Sequence, residues 1–355
     1  MVIAKRVTMK DIARAAGVSR PAVSAALSSK ASTIALGPET RRRIKALAEQ
    51  MGYQRNILAR SFIEQKSYLV GFISREEHFV YALATTKGIE EVLENLDYSL
   101  LIFYGGNTPA EQTRHLKRSM ARKVDGLIVS TAPEPPGGPN RDEIWKARET
   151  GLPVVQVYRK IIPDIPVVMT DDRTIGKLAT QHLIGLGHRR IAHFTHDQYT
   201  DEATYGQNLD ALQRYQGYEQ AMRDAGLEPI VVTYPAATYG GLGYSRGARQ
   251  YAERLANHPA RFTAATTFAD FVAVGLLKGL QDLKLRVPDD ISIVGYDDIE
   301  AATVVDPPLT TLRQQSRQIG REAVRMVLDM MADKAVSDVI LEPELVVRAS
   351  TAPPK

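Results

Sequence analysis

Apolar and polar positions follow two textures along this chain. Over Thr8–Ser28, TMKDIARAAGVSRPAVSAALS, the apolar residues recur at helical spacing: Ile12, Ala13 and Ala16, then Val23, Ala26 and Leu27. Thr8 followed by Asp11 fits a capping box, and Gly17 fits the left-handed close of a short helix. Ser19 with Pro21 fits the start of a second helix. Two short helices joined by a Gly-containing turn predict a helix-turn-helix whose second helix enters a major groove. The same pattern also describes an ordinary helical hairpin buried in a core. Residues 29–37, SKASTIALG, read as a polar turn, and Pro38 opens a third helix to about Met51 that packs through Ile44, Leu47, Ala48 and Met51. Tyr53–Lys66 predicts a short basic amphipathic helix with Asn56, Ala59 and Phe62 on one side. Such a helix can wedge a minor groove or serve as a plain tether.

From Tyr68 the texture changes to short apolar strands between amphipathic helices. Strands are predicted over 68–73, 98–104, 126–130, 154–157, 167–170, 190–194, 229–233, 264–268 and 292–296, with helices such as 84–95, 108–123, 174–186, 213–225, 246–257 and 272–283. The fold class is α/β: an all-α helix-turn-helix head followed by two doubly wound parallel-sheet units. In such sheets ligands collect at the carboxyl ends of the strands, so a cleft between two facing units is the natural binding site.

Charge sharpens this division. The 355-residue chain carries a net +4, but residues 1–66 hold thirteen Lys and Arg against four Asp and Glu, a net of +9. The remainder has 32 basic and 37 acidic residues, a net of −5. A basic head on a mildly acidic body suits a head that meets phosphate. There is no Cys, which excludes disulfides, thiolate chemistry and zinc-finger sites. Residues 1–10 lack the apolar core of a signal peptide and no run is long enough to span a bilayer, so a cytoplasmic protein without a membrane partner is expected.

Catalytic signals are weak. The glycine cluster GGLGYSRG at 240–247 does not place G-x-G-x-x-G after a strand. His193 and His196 share one region without a third ligand, so neither a metal nor a cofactor is expected. The competing readings are an enzyme, or a binding protein, that uses the same α/β body without operator recognition. A transport binding protein fits poorly with the basic head.

These pieces resemble the LacI/GalR family of bacterial repressors over nearly the whole chain. The head carries TMKDIARAAGVSRPAVSAAL, PETRRRI, MGY and RNILAR; the body carries LVGFIS, KGIEE, KVDGLIVS, TDDRTIGKLATQHLIGLGHRRIAHF, RYQGYEQAMRDAG, RVPDDISIVGYDD, PPLTTLRQ and LVVRAST. The resemblance implies a helix-turn-helix head over 1–53, a hinge helix over 54–67, and an effector-binding and dimerisation body over 68–355. That body would be periplasmic-binding-protein-like, with subdomains of about 68–169 plus 316–342 and 170–315 plus 343–355. It implies a homodimer on double-stranded operator DNA, acting as a repressor whose affinity a small effector alters, a carbohydrate or derivative being the expected class. With the chain stopping at Lys355, directly after the last motif, no tetramerising helix is expected.

The resemblance places DNA contacts at Thr8, Ser19, Arg20, Pro21, Ala22, Ser24 and Ala25, and at Asn56, Ala59 and Phe62 of the linker. Ala25 and Ser28 stand where the family usually has Arg and Asn, so base reading is expected to lean on Arg20, with Ser19 on phosphate and Ala22 and Ser24 as minor contacts. Effector contacts are implied at Tyr81, Phe79, Arg214, Phe268, Asp270 and Asp297. Arg214 and Asp297 would face each other as a clamp, or pair with each other when the cleft is empty. Asp270 reads equally as an N-cap. Ala269 stands where many sugar-binding relatives have Asn, and the polar stretch 196–210 is long enough for a lid.

Overall fold

The computed structural model describes residues 7–27, 34–53, 57–75, 79–132, 138–200, 209–235 and 241–355. Met1–Lys66 and Ser67–Lys355 form two compact units.

The first unit holds helices α1 (Met9–Ala16), α2 (Arg20–Leu27), α3 (Pro38–Gln50) and α4 (Ile57–Glu64). The Asp11 carboxylate accepts from the Thr8 N–H at 3.0 Å and from its hydroxyl at 2.7 Å, which closes the front of α1. Gly17 ends it at φ 63, a left-handed conformation that costs a glycine nothing, and the Val18 N–H donates back to the Ala13 carbonyl. Ser19 Oγ accepts from the Ala22 N–H at 3.3 Å and so starts α2. Ile12, Val23, Ala26, Ile44 and Ala48 make the small core of this unit. Arg43 joins α3 to the end of α1 by donating to the Ala16 carbonyl at 3.0 Å.

The second unit contains β1 (Leu69–Ser74), β2 (Ser99–Tyr104), β3 (Gly126–Val129), β4 (Val154–Val157), β5 (Val167–Thr170), β6 (Ile191–His196), β7 (Ile230–Tyr234), β8 (Ala264–Thr267), β9 (Ser292–Asp297), β10 (Thr310–Arg313), β11 (Val339–Leu341) and β12 (Glu344–Val346). Its helices are α5 (Phe79–Leu93), α6 (Pro109–Ala121), α7 (Pro139–Glu149), α8 (Asp172–Gly185), α9 (Leu209–Asp224), α10 (Gly241–Gln250), α11 (Ala252–Ala256), α12 (Asp270–Asp282), α13 (Ala301–Val304) and α14 (Ser316–Met331). The strands form two sheets, β11-β5-β4-β3-β1-β2 and β12-β10-β9-β8-β6-β7, one per lobe. Every pairing is parallel except β10 with β12.

The pattern reading misses β10, β11 and β12. Thr310 and Thr311 look like surface residues, yet both are buried, their hydroxyls bonded to Thr351 and Asp270. The helix expected over 246–257 is broken at Tyr251 into α10 and α11.

In both lobes helices pack backbone to backbone. A Cβ on Gly176 of α8 would collide with the Arg214 carbonyl on α9, and one on Gly217 with the Arg173 carbonyl on α8. Gly88 of α5 and Gly320 of α14 meet the carbonyls of Arg317 and Thr85 in the same way. Small residues at these crossings let the helix axes approach closely, and the first crossing carries a charged pair at its edge.

Candidate functional site

In the head, Thr8, Ser19, Arg20, Pro21 and Ser24 are exposed on α1, α2 and the turn between them. Ala22 and Ala25 depart from the expectation. They are 7% and 4% exposed, so their methyl groups sit inside rather than offering a face to a base. Helical geometry explains this, because they flank Val23 and Ala26 on the packed side of a helix only eight residues long. Ser19 spends its oxygen on the cap of α2. In the linker, Phe62 and Ile63 are 81% and 80% exposed, and Arg60 pairs with Glu64 one turn on at 3.1 Å. Asn56 lies outside the described residues; Ala59 and Phe79 are described only as members of α4 and α5. Residues 201–208 of the expected lid also lie outside them.

In the body, α9 brings Arg214 against α8. The Arg214 Nε donates to Asp172 Oδ1 at 2.8 Å, and its Nη1 donates to the Phe268 carbonyl. Its guanidinium lies 3.7 Å from the centre of the Tyr296 ring. Arg214 is 4% exposed. Burial alone would lower its pKa, but Asp172 and then Tyr296, Asp210 and Asp297 outweigh it and keep the group cationic. The partner is therefore Asp172, not Asp297, which corrects the empty-state pair considered from the sequence. The tandem Asp171-Asp172 held a signal for this. One carboxylate suffices to cap α8, and Asp171 does so, accepting from the Arg173 N–H at 3.0 Å and the Thr174 hydroxyl at 2.6 Å. The second is left over for a cation.

Asp297 ends β9 in strained backbone at φ 116, followed by Asp298 at φ 55. Asp298 accepts from Arg313 at 2.7 Å and Arg348 at 2.6 Å, which fixes the strand's end. Asp297 Oδ1, by contrast, is buried with no hydrogen-bond partner among the described residues. Burial drives its carboxyl well above the usual range; Arg214 opposes this, while Asp270, Asp210 and Asp172 add to it. A ligand hydroxyl donating to this oxygen would satisfy it.

Asp270 is not a cleft residue. It is fully buried and accepts from the Thr311 hydroxyl at 2.6 Å and the Ile299 N–H at 3.0 Å, joining the loop after β9 to β10. Nor is it the N-cap of α12, a place held by Ala269. Phe268 is buried too. Its ring stands edge-on to His196 at 5.0 Å and to Tyr244 at 5.1 Å, so it backs the wall of the site. His196, at the end of β6, is almost wholly buried with Nδ1 unpartnered among the described residues, and burial keeps its imidazole neutral.

The first lobe contributes Tyr81 of α5, half-buried and edge-on to Tyr158 at 5.3 Å. Burial raises the Tyr81 phenol well above its ordinary pKa, and Asp297 and Asp210 of the second lobe raise it further. The two lobes thus meet across the carboxyl ends of their strands. Arg75 and Arg159 follow β1 and β4 there, both buried, and Arg159 donates to Asp210 of α9 at 2.7 Å. The sequence reading passes over Asp172 and Arg159, weighs His196 only as a metal ligand and takes Asp210 only as part of a lid. Their only signal is an ionisable residue directly at the end of an apolar strand or the start of a helix.

Among the described residues no cluster of His, Asp or Glu is placed to hold a metal ion. No helix among them is long and apolar enough to cross a membrane.

The architecture defines a class: a helix-turn-helix DNA-binding unit joined to a two-lobed, periplasmic-binding-protein-like sensor. Residues 8–56 match the model of bacterial regulatory proteins, lacI family, and residues 180–351 that of a periplasmic binding protein-like domain. The ribose operon repressor of Escherichia coli (strain K12) is 30% identical over 329 residues, 90% of this chain and 92% of the relative. A complex of the transcriptional regulator CelR with cellobiose is 25% identical with TM-score 0.66, covering 97% of this chain and 100% of that one. The Lac repressor dimer bound to operator and the anti-inducer ONPF shares the fold at TM-score 0.77 and 23% identity, covering 98% and 100%. The chain belongs to the LacI family. It is a DNA-binding transcriptional regulator whose body is an effector-binding domain.

Proposed function

We propose that this chain is a homodimeric, non-enzymatic repressor that reads operator DNA with Arg20, assisted by Thr8, Ser19, Pro21, Ser24 and Phe62. Its effector is a carbohydrate or derivative seated between Tyr81 and Asp297. The observation that carries the effector reading is the buried, unpartnered Oδ1 of Asp297 at a strained strand end, facing a tyrosine from the opposite lobe. A carboxyl group whose charge burial disfavours, beside aromatic rings, suits hydroxyl donors and an apolar sugar face. One relative is named as a ribose operon repressor and one similar structure is of a complex with cellobiose, which supports the class. Exposed Leu83 on α5 and Ile102 and Tyr104 on the edge strand β2 supply an apolar surface for a second copy.

The test is a thermal-shift panel of neutral sugars, sugar acids and nucleobases, followed by footprinting on the protein's own promoter with and without the stabilising compound. One sugar or derivative should raise the melting temperature, lose that effect in Asp297→Ala, and change the footprint. A nucleobase as the sole stabiliser overturns the class, and a compound still bound by Asp297→Ala overturns the site.

A further inference from the structure

We propose that Arg159 and Asp210 form a latch across the cleft that holds the lobes closed before any effector arrives. The idea rests on reading the gap as the effector cleft. The two residues belong to different lobes: Arg159 follows β4 in the first sheet, and Asp210 sits at the start of α9 in the second. Their N–O distance is 2.7 Å, and the side chains are 8% and 19% exposed.

The more deeply buried pair, Arg214 with Asp172, has the same chemistry but lies wholly within the second lobe, so it survives any movement between lobes. The Arg159–Asp210 contact exists only while the strand ends of one lobe touch α9 of the other. Opening by a few ångströms would separate these two charges.

Each half stands on a rigid mount. Tyr158, directly before Arg159, is held at φ 71, and its hydroxyl bonds Thr85 Oγ1 at 2.6 Å. Thr85 in turn donates to the Ser316 carbonyl at 3.0 Å. Asp210 lies one helical turn before Arg214, so a single face of α9 presents both the latch and the floor of the site. That helix is clamped to α8 by the Gly176 and Gly217 crossing. Neither mount can follow the other lobe if it swings away.

The latch therefore sets the fraction of protein already in the closed arrangement, and the apparent effector affinity scales with that fraction. Arg159 and Asp210 act as positioning residues in this scheme.

Since the chain has no native cysteine, Arg114→Cys on α6 and Glu253→Cys on α11 give one spin label on each lobe, both at exposed sites. Pulsed dipolar spectroscopy on the full chain, with no small molecule added, then reads the distance between lobes. The unmodified pair should give mainly the short distance. Asp210→Asn and Arg159→Gln should each lower the ratio of short to long populations about tenfold, between the effects of exposed and buried pairs. The exchanged pair, Arg159→Asp with Asp210→Arg, should restore it. Unchanged distances in a folded single variant overturn the latch, as does an exchanged pair that stays open. The two single variants alter different lobes, so if one fails to fold the other still decides. None of these readouts needs an effector or DNA, so a failed sugar panel and a failed latch are told apart.

Discussion

Arg20 on α2 stands in solvent, whereas Arg214 on α9 is enclosed by Asp172, the Phe268 carbonyl and the face of Tyr296. Among the described residues, the head keeps most of its basic side chains in water, ready for phosphates and base edges. The body buries Arg75 and Arg159 just past its strand ends and Arg214 on α9. One residue type thus serves two purposes. An exposed guanidinium has little to lose on folding and offers its donors to a partner molecule. A buried one is committed to the fold first, and takes part in recognition only through the carboxylates it orders around it.

The strongest way to break this contrast is to empty the buried position. Arg214→Met leaves Asp172 uncompensated in a dry site and should cost the body about 3–5 kcal/mol, read from urea unfolding followed by the fluorescence of the single Trp, Trp145. The double change Arg214→Met with Asp172→Leu should recover most of it. A single variant as stable as the parent would place Arg214 with Arg20 as an accessory group.

Asp270 tests whether the body's buried charges carry a pH signature that the exposed head lacks. Burial pushes its carboxyl up to about 6, against the opposing bonds from Thr311 and Ile299. The folded protein therefore holds a proton that the unfolded chain has released, and stability falls as pH rises from about 4 to 6. At 1.36 kcal/mol per pKa unit the loss is about 3 kcal/mol from this group. Asp270→Asn should flatten that part of the pH–stability curve; an identical slope in the variant would refute the assignment.

For the head, Arg20→Ala should cost about 1–3 kcal/mol of operator affinity at one base position while leaving the urea midpoint unchanged. A binding loss spread evenly over all sequences would instead mark Arg20 as a phosphate contact. The smallest effect belongs to the half-exposed Arg60–Glu64 pair on α4. Glu64→Ala should change stability by about 0.3–0.5 kcal/mol, measurable only as a slight shift in the melt at low salt.

Whatever depends on neighbours within one helical turn was legible in the residues themselves. The Thr8–Asp11 cap, Gly17 at φ 63, the Ser19 cap and the alternation of strands with helices are of this kind, as is the concentration of positive charge before residue 67. What the pattern could not resolve is how burial and pairing fall out once helices cross. Ala22 and Ala25 share α2 with Arg20 yet face inward, and Asp270 looks like a cap until Thr311, 41 positions away, claims it. Arg214 finds Asp172 across 42 positions because two glycines let their helices touch, and Arg159 reaches Asp210 across 51 because two lobes close. Local order follows from short-range sterics and hydrogen bonds written in adjacent residues. The choice of partner for a buried charge is made by desolvation, which exists only when the chain has packed.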